Sequence, residues 1–461
     1  MKQKKDRGMA QIVIIGAGLT GISAAYHLEQ KGFFDYKLFE KEPTIGGLCR
    51  SIEQDGFTFD FTGHLLHINN DYFRSLIDQI VGFEHFNTID RRSWIYSQNV
   101  YTPYPYQVNM RGLPTSTIAE CLEGFIKRPV IKKPKTFYEW VLTNFGKGFG
   151  KYFFFDYQRK IFAYDIKKIT ASWTGRFVPS TSLEQLIEGI VGTTKEQNIG
   201  YNAQFLYPSF GGISYWVEKL AHTLVNPIYT NFCVDSIDMR NKIIHFANGH
   251  AEPYEQLITS IPLDQLLLKL KEPSDISLSQ AHKNLLCNSV VNFNLGIAQP
   301  NISDKHWIYF PETKYPFYRI GFPHNFASSM APEGCSSLYG EFSYIKKSKT
   351  YIAQQLKASL LATKKLLNIS DTEIICEKIL YIPHAYVIYD AWREKNLPLI
   401  HKKLHEFNIY SVGRYGEWKY SSMQEAVLDG KAIAEKLLIL PAIHTHFIEY
   451  MEHPITKEKT L

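Results

Sequence analysis

Residues 11–21 read Gln11-Ile-Val-Ile-Ile-Gly16-Ala-Gly18-Leu-Thr-Gly21, and the reading of this stretch decides the fold. Ile12 to Ile15 is an unbroken apolar run rich in β-branched side chains, as expected of a strand buried on both faces. It runs straight into the three glycines, after which Ile22, Ala24, Ala25 and Leu28 recur with helical spacing. Gly16 permits the tight turn, Gly18 lets the backbone approach a pyrophosphate, and Gly21 lets helix and strand pack closely. The free N–H groups and positive dipole end of the new helix then hold the phosphates. A second short strand, Tyr36 to Phe39, ends at Glu40, about twenty residues after the glycines. A carboxylate there accepts from both ribose hydroxyls of an adenosine. The plainer alternative is a structural strand–helix–strand turn with a solvated Glu40, but strand, helix and acid all stand in place for a dinucleotide.

Working outward, Gly46-Gly47 follows the acid, with Arg50 and Ser51 behind it. A second glycine pair lets another loop lie against the dinucleotide, and Arg50 can neutralise phosphate. Domains that bind NAD do not usually need this second loop. The run Glu40-Lys-Glu-Pro-Thr-Ile-Gly-Gly-Leu-Cys-Arg-Ser51 and the later Phe59-Asp-Phe-Thr-Gly-His64 resemble the flavoproteins that include amine oxidases, protoporphyrinogen oxidases and UDP-galactopyranose mutases. That resemblance implies FAD as the dinucleotide.

A chain of 461 residues is long enough for two or three domains sharing a large core. Its net charge of +6 is a mild excess and points to no nucleic-acid partner. No apolar run approaches the length of a membrane span. The start, MKQKKDRG, is basic but leads into a strand and not an apolar core, so it reads as a tail and not a targeting signal. The six cysteines are scattered without a CxxC pair, which indicates neither a zinc site nor a disulfide scaffold and fits a reduced, cytoplasmic setting. The unusual feature is 29 Tyr and 30 Phe, many of the tyrosines close to Pro, Gly or Arg, as around a polar ring-shaped ligand.

Helical periodicity predicts helices over 71–82, 117–127, 136–145, 149–161, 350–367 and 426–438, another within 179–191, and within 207–224 a turn at Gly211-Gly212 followed by an amphipathic helix. Residues 90–101 alternate like a hairpin, from which Gln107 projects on a stiff Pro-rich loop. Strands are predicted over 228–237, 242–247, 256–261, 290–296, 307–310, 317–322, 337–344 and 409–412. The expected fold is α/β: a split Rossmann FAD-binding domain (9–70, 205–262 and 405–440), a mainly helical insert (71–204) and a mixed β-sheet substrate domain (263–404).

Further motifs narrow the resemblance. Arg92 to Asn109, Lys135 to Trp140, Trp173-Thr-Gly-Arg176, Tyr201-Asn202-Ala-Gln-Phe205, His306 to Glu312, Pro316-Phe-Tyr-Arg319 and Gly413 to Tyr420 are, in order and distance, similar to the UDP-galactopyranose mutases, the eukaryotic type above all. The likeness covers Ile12 to about Ala434. It implies interconversion of the pyranose and furanose forms of a UDP-sugar, through attack of reduced flavin N5 on the anomeric carbon, with NADPH or NADH as candidate reductant. It implies Arg176 and Arg319 as a diphosphate clamp and His64 beside the flavin. Arg414 would also lie at the flavin, and the backbone of Val234 would meet the adenine. Gln107 and Asn202 match contacts to uracil and phosphate, Trp307 and Tyr309 would pack on uracil and sugar, and Tyr386 and Tyr420 would donate to the diphosphate. Taken alone, Arg319 could equally form a salt bridge on a strand, and Trp307 and Tyr309 could be plain core.

Three departures bear on the sugar: Phe326 where the family has a tyrosine, Ser421 to Glu425 in place of an asparagine-rich turn, and Ala385-Tyr386-Val387 for Gly-Tyr-Pro. A deoxy- or N-acetylated pyranose therefore stays open beside galactose, as does a homo-oligomer. The competing activity is a flavin oxidase or desaturase of an amine or apolar substrate. A third reading is an idle flavoprotein that only binds a nucleotide-sugar or partner.

Overall fold

The computed structural model describes residues 10–175, 178, 180–192, 203–271 and 276–452. The strand Ala10–Ile15 pairs in parallel with Tyr36–Phe39 on one side and with Ala251–Thr259 on the other. Ile228–Tyr229 and Ile409–Ser411 extend the same parallel sheet at its two ends. Alternation divides the apolar run between two cores: Ile12 and Ile14 join Ala24, Trp216 and Val427 on one face, while Val13 and Ile15 join Leu263 and Leu404 on the other. The first half of Ala251–Thr259 turns away to pair antiparallel with Ile243–Phe246, which continues through Val234–Asp238.

A second sheet has the order Ile374–Ile382, Ser289–Ile297, Ser336–Tyr344, Arg319–Gly321, Trp307–Tyr309, Ser93–Ser97, Val100–Pro103. It is mixed, because Trp307–Tyr309 meets Ser93–Ser97 in parallel while its other pairings are antiparallel. The helix Lys349–Leu367 covers one face through Leu356, Leu360 and Leu366, packed on Phe293, Leu295, Ile308, Ile320 and Leu338. Period-2 geometry turns the intervening residues to the opposite face, which carries the polar groups described below.

Between 71 and 204 the helices Thr115–Ile126, Phe137–Phe149 and Phe155–Phe162 share a core of Tyr106, Phe125, Phe137, Phe145, Phe149, Phe153 and Tyr157. The region is not purely helical. Its hairpin Ser93–Ser97/Val100–Pro103 belongs to the second sheet, and Phe86–Asp90 pairs with Gln204–Pro208. Gly146 (φ 78°, ψ −179°) breaks the helix that starts at Phe137, and the aromatic stretch 149–161 then runs as one continuous helical segment, with a π turn over Gly150–Phe154 leading into Phe155–Phe162. Several elements were illegible in the sequence, three of them for evident physical reasons. The hairpin Ser51–Gln54/Phe57–Asp60 has strands too short for a period, Ile374–Ile382 is an edge strand with half-exposed alternation, and the helix Ala391–Glu406 contains Pro398.

Candidate active site

One group of candidate residues is built from backbone. The first strand ends at Gly16, whose φ of +98° suits glycine alone. A side chain on Gly21 would place its Cβ 1.9 Å from the Gly16 carbonyl oxygen, so the helix Leu19–Gln30 can start here only with glycine. Gly18 stands at the helix N-cap without a side-chain hydrogen bond, which leaves first-turn N–H groups for a ligand. The second glycine loop lies directly against the first. The Gly46 N–H donates to the Ala17 carbonyl at 2.8 Å, and a Cβ on Gly47 would stand 3.2 Å from the Gly18 Cα.

Glu40 is buried at the carboxyl end of its strand. It accepts from the N–H of Ala17 at 2.8 Å and of Glu42 at 3.0 Å, with lone pairs remaining for ribose hydroxyls. Phe232 N–H donates to the Glu40 carbonyl at 2.8 Å, bringing buried Val234 to the same end. Arg50 braces the second loop: its Nε donates to the Gly47 carbonyl at 2.6 Å and its Nη1 to Thr44 Oγ1 at 2.8 Å. Its hydrogen bonds thus go to its own loop, a use the sequence did not suggest. A turn closed to any Cβ at Gly21, two glycine loops in close backbone contact, an uncapped helix start and a fixed carboxylate fit a dinucleotide.

A second group is built from side chains on the polar face of the second sheet. Cross-strand register places Tyr309 opposite Arg319 and Arg319 opposite Glu341. The neighbouring row sets Trp307 opposite Gly321 and Gly321 opposite Tyr339. Arg319 forms a fork with Glu341, Nε to Oε2 at 2.8 Å and Nη2 to Oε1 at 3.0 Å, and the Glu341 side chain is 0% exposed. Burial opposes the guanidinium charge most strongly, but the Glu341 carboxylate and its hydrogen bond, together with Tyr339 and Tyr386, outweigh it and hold Arg319 firmly protonated. The strand salt bridge that was the alternative for Arg319 therefore exists. It engages one edge of the guanidinium and still leaves N–H donors on Nη1. The Tyr339 ring lies under Arg319 at 5.7 Å. Tyr157, Tyr318 and Tyr386 lie within electrostatic reach of the same cation.

His64 meets this group from the other side. A Cβ on Gly63 would stand 2.3 Å from the Tyr339 hydroxyl, so the Gly63-His64 backbone rests on that ring. Thr62 takes φ +73°, rare for a β-branched residue, and the His64 N–H folds back to the Thr62 carbonyl at 3.1 Å. The hairpin leading into this loop is fixed by buried Asp60, which accepts from Ser51 Oγ at 2.6 Å and Tyr207 Oη at 2.5 Å; burial pushes its carboxyl up to about 6. The His64 Nδ1 is enclosed and unpaired. Burial, then the charges of Arg414 and Arg319, lower this imidazole to about 4, with the Phe61 carbonyl pulling weakly the other way.

Arg414 donates to the carbonyls of Ser421 (2.7 Å) and Ala385 (3.1 Å), tying together the loops that carry Tyr420 and Tyr386, whose rings are 6.1 Å apart. Tyr420 stacks on Tyr389 at 5.4 Å. Trp307 is buried 6.0 Å from Phe205 and 6.4 Å from Tyr309, and Tyr309 also meets Tyr157 at 5.4 Å. Gln107 is 2% exposed in the turn Tyr106–Val108, so it is enclosed and does not project. Arg176 and Asn202 lie outside the described residues. Phe326 sits among Phe205, Tyr207 and His306, while the hydroxyl next to Arg319 comes from Tyr339. Sequence reasoning passed over Tyr339, Glu341 and Tyr157. Only strand register or helix packing brings them here, although a Tyr and a Glu two apart in a strand of otherwise small and apolar residues was a usable signal.

These features define a dinucleotide-binding α/β oxidoreductase fold with a cationic, tyrosine-lined second site. Residues 19–336 match the family described as flavin containing amine oxidoreductase, and the chain belongs to that family. The match supports FAD as the dinucleotide. A crystal structure of a reduced UDP-galactopyranose mutase superposes with a TM-score of 0.86 at 28% sequence identity, over 94% of this chain and 96% of that one. Curated relatives match locally. A 4,4'-diaponeurosporene oxygenase of Staphylococcus haemolyticus is 47% identical over 66 residues, and a 4,4'-diapophytoene desaturase of Staphylococcus aureus is 32% identical over 91. The chain covers only 12% and 18% of these two relatives, and 14% and 20% of itself is matched. Among the described residues no helix is long and apolar enough to cross a membrane, and no group of three His, Cys, Asp or Glu is placed to hold a metal.

Proposed function

We propose that this protein is a flavin-dependent mutase that interconverts the pyranose and furanose forms of a UDP-sugar, UDP-galactose or a close relative. The observation that carries the reading is the fork-held Arg319 amid Tyr157, Tyr309, Tyr339 and Tyr386. A buried cation ringed by hydroxyls suits a diphosphate and would repel the hydrocarbon of a desaturase substrate. The full-length likeness to a mutase, against the local matches to desaturases, supports the same choice.

When bound, reduced FAD supplies the nucleophile for the anomeric carbon. The chain's own work is to bind and orient. Gly16, Gly18, Gly21, Gly47, Glu40 and Val234 hold the dinucleotide, with Arg50 bracing the loop. Arg319, with Arg176 as its expected partner, holds the diphosphate during departure and return. Tyr386 and Tyr420 donate to its oxygens, and Gln107, Asn202, Trp307 and Tyr309 hold uracil and sugar. Arg414 fixes the loops at the flavin, and neutral His64 offers a hydrogen bond without adding its own positive charge to those of Arg414 and Arg319.

The test is turnover of UDP-galactose. Conversion under dithionite or reduced nicotinamide, with almost none by oxidised enzyme, is expected. Aerobic activity on an amine or carotenoid precursor, with peroxide released at each turnover and no spectral response of the flavin to UDP, would replace this reading with the oxidase.

A further inference from the structure

We propose that the loop 127–135 docks this protein on an anionic lipid surface. It reads Lys127-Arg-Pro-Val-Ile-Lys-Lys-Pro-Lys135 and holds five cations and no carboxylate. It joins the helices Thr115–Ile126 and Phe137–Phe149. Not all five charges point outward: Lys127 pairs with Glu123 at 2.6 Å, and Arg128 folds back on the Phe125 carbonyl and ring. Lys132, Lys133 and Lys135 are exposed, and among the described residues they make no ion pair. Thr136 bridges to Thr170, so Lys167 and Lys168 border the same surface; Lys167 lies over the ring of Tyr138.

The second observation separates lipid from other polyanions. Val130 is 90% exposed and Ile126 60%, both beside the lysines. Aliphatic side chains at the tip of a cationic loop gain nothing from a dissolved polyanion. At a bilayer they leave water for the acyl boundary while the lysines stay among the headgroups. Pro129 and Pro134 stiffen the loop, so little entropy is lost on docking. The surface lies outside the active site and is independent of the reaction proposed above.

Sedimentation of the full-length, flavin-loaded protein with vesicles tests it. Phosphatidylcholine vesicles with about one-third phosphatidylglycerol should bind it at low salt, neutral phosphatidylcholine vesicles should not, and high salt should release it. Each lysine near such a surface is worth about fivefold in partition, so K132Q/K133Q/K135Q should lose about a hundredfold. V130S should weaken vesicle binding severalfold yet leave binding to heparin unchanged. Flavin content and circular dichroism should stay at parental values, since every substituted side chain is exposed. Failure of the parent to bind the anionic vesicles, undiminished binding by the triple variant, or a V130S variant that binds vesicles as the parent does would each overturn the proposal.

Discussion

The adenosine end and the sheet-face site are built in opposite ways. At the first, Gly16, Gly18, Gly21, Gly46 and Gly47 bring backbone against backbone, and the side chains of Glu40 and Arg50 only brace that backbone. At the second, Arg319, Glu341, Tyr339 and His64 arrive from three separate stretches of chain, and the interaction lies almost wholly between side chains. The backbone-built site has no slack at its centre: one methyl added to Gly21 must displace main chain. A side-chain site can lose a member and keep its shape, but a buried charge left behind is costly.

The largest expected effect is at the first region. Gly21→Ala puts a Cβ 1.9 Å from the Gly16 carbonyl, so the variant should retain no flavin, read as loss of visible absorbance after purification and soaking with FAD. Normal flavin retention would break the contrast outright.

At the second region, Arg319→Ala should keep its flavin but lose about 3–5 kcal/mol of unfolding free energy, because fully buried Glu341 loses its partner. Its UDP affinity should fall roughly tenfold to a hundredfold, and Lys should rescue only part, since it cannot form the fork. Denaturant unfolding and titration of the reduced flavin with UDP measure the two separately. The double variant R319A/E341A should regain stability but not UDP binding; recovery of both would make Arg319 purely structural.

The next effect is a pH slope. The imidazole of His64 is lowered from 6.5 to about 4 in the fold, so as the pH falls the unfolded chain takes up the proton first. Its contribution is flat above 6.5 and costs stability between 6.5 and 4, by on the order of 1–3 kcal/mol. His67, His306 and His401 are lowered to about 4 and act in the same direction, so the comparison of parent with His64→Asn isolates one share. An unchanged slope in the variant would place His64 in solvent.

The smallest effect sharpens the contrast. Tyr339→Phe removes one hydroxyl beside Arg319 and should weaken UDP binding by about twofold to tenfold with flavin unaffected. No change would mean that Tyr339 serves the site only as a platform for Gly63.

By itself the sequence determined the parallel sheet, its glycine turns and the carboxylate after the second strand. These are short-range patterns: a double-faced strand is continuously apolar, and a turn that admits no Cβ must be glycine. It also marked Arg319 and His64 through motif resemblance. What each of them touches was decided by tertiary structure. Glu341 meets Arg319 because Ser336–Tyr344 pairs with Arg319–Gly321 in one register, and a slip of one residue would turn Tyr339 and Glu341 to the opposite face. A separate pairing, with Trp307–Tyr309, takes the hairpin strand Ser93–Ser97 out of the mainly helical region and into the second sheet. Strand register is a long-range choice made by packing on both faces at once, and no local pattern in the chain records it.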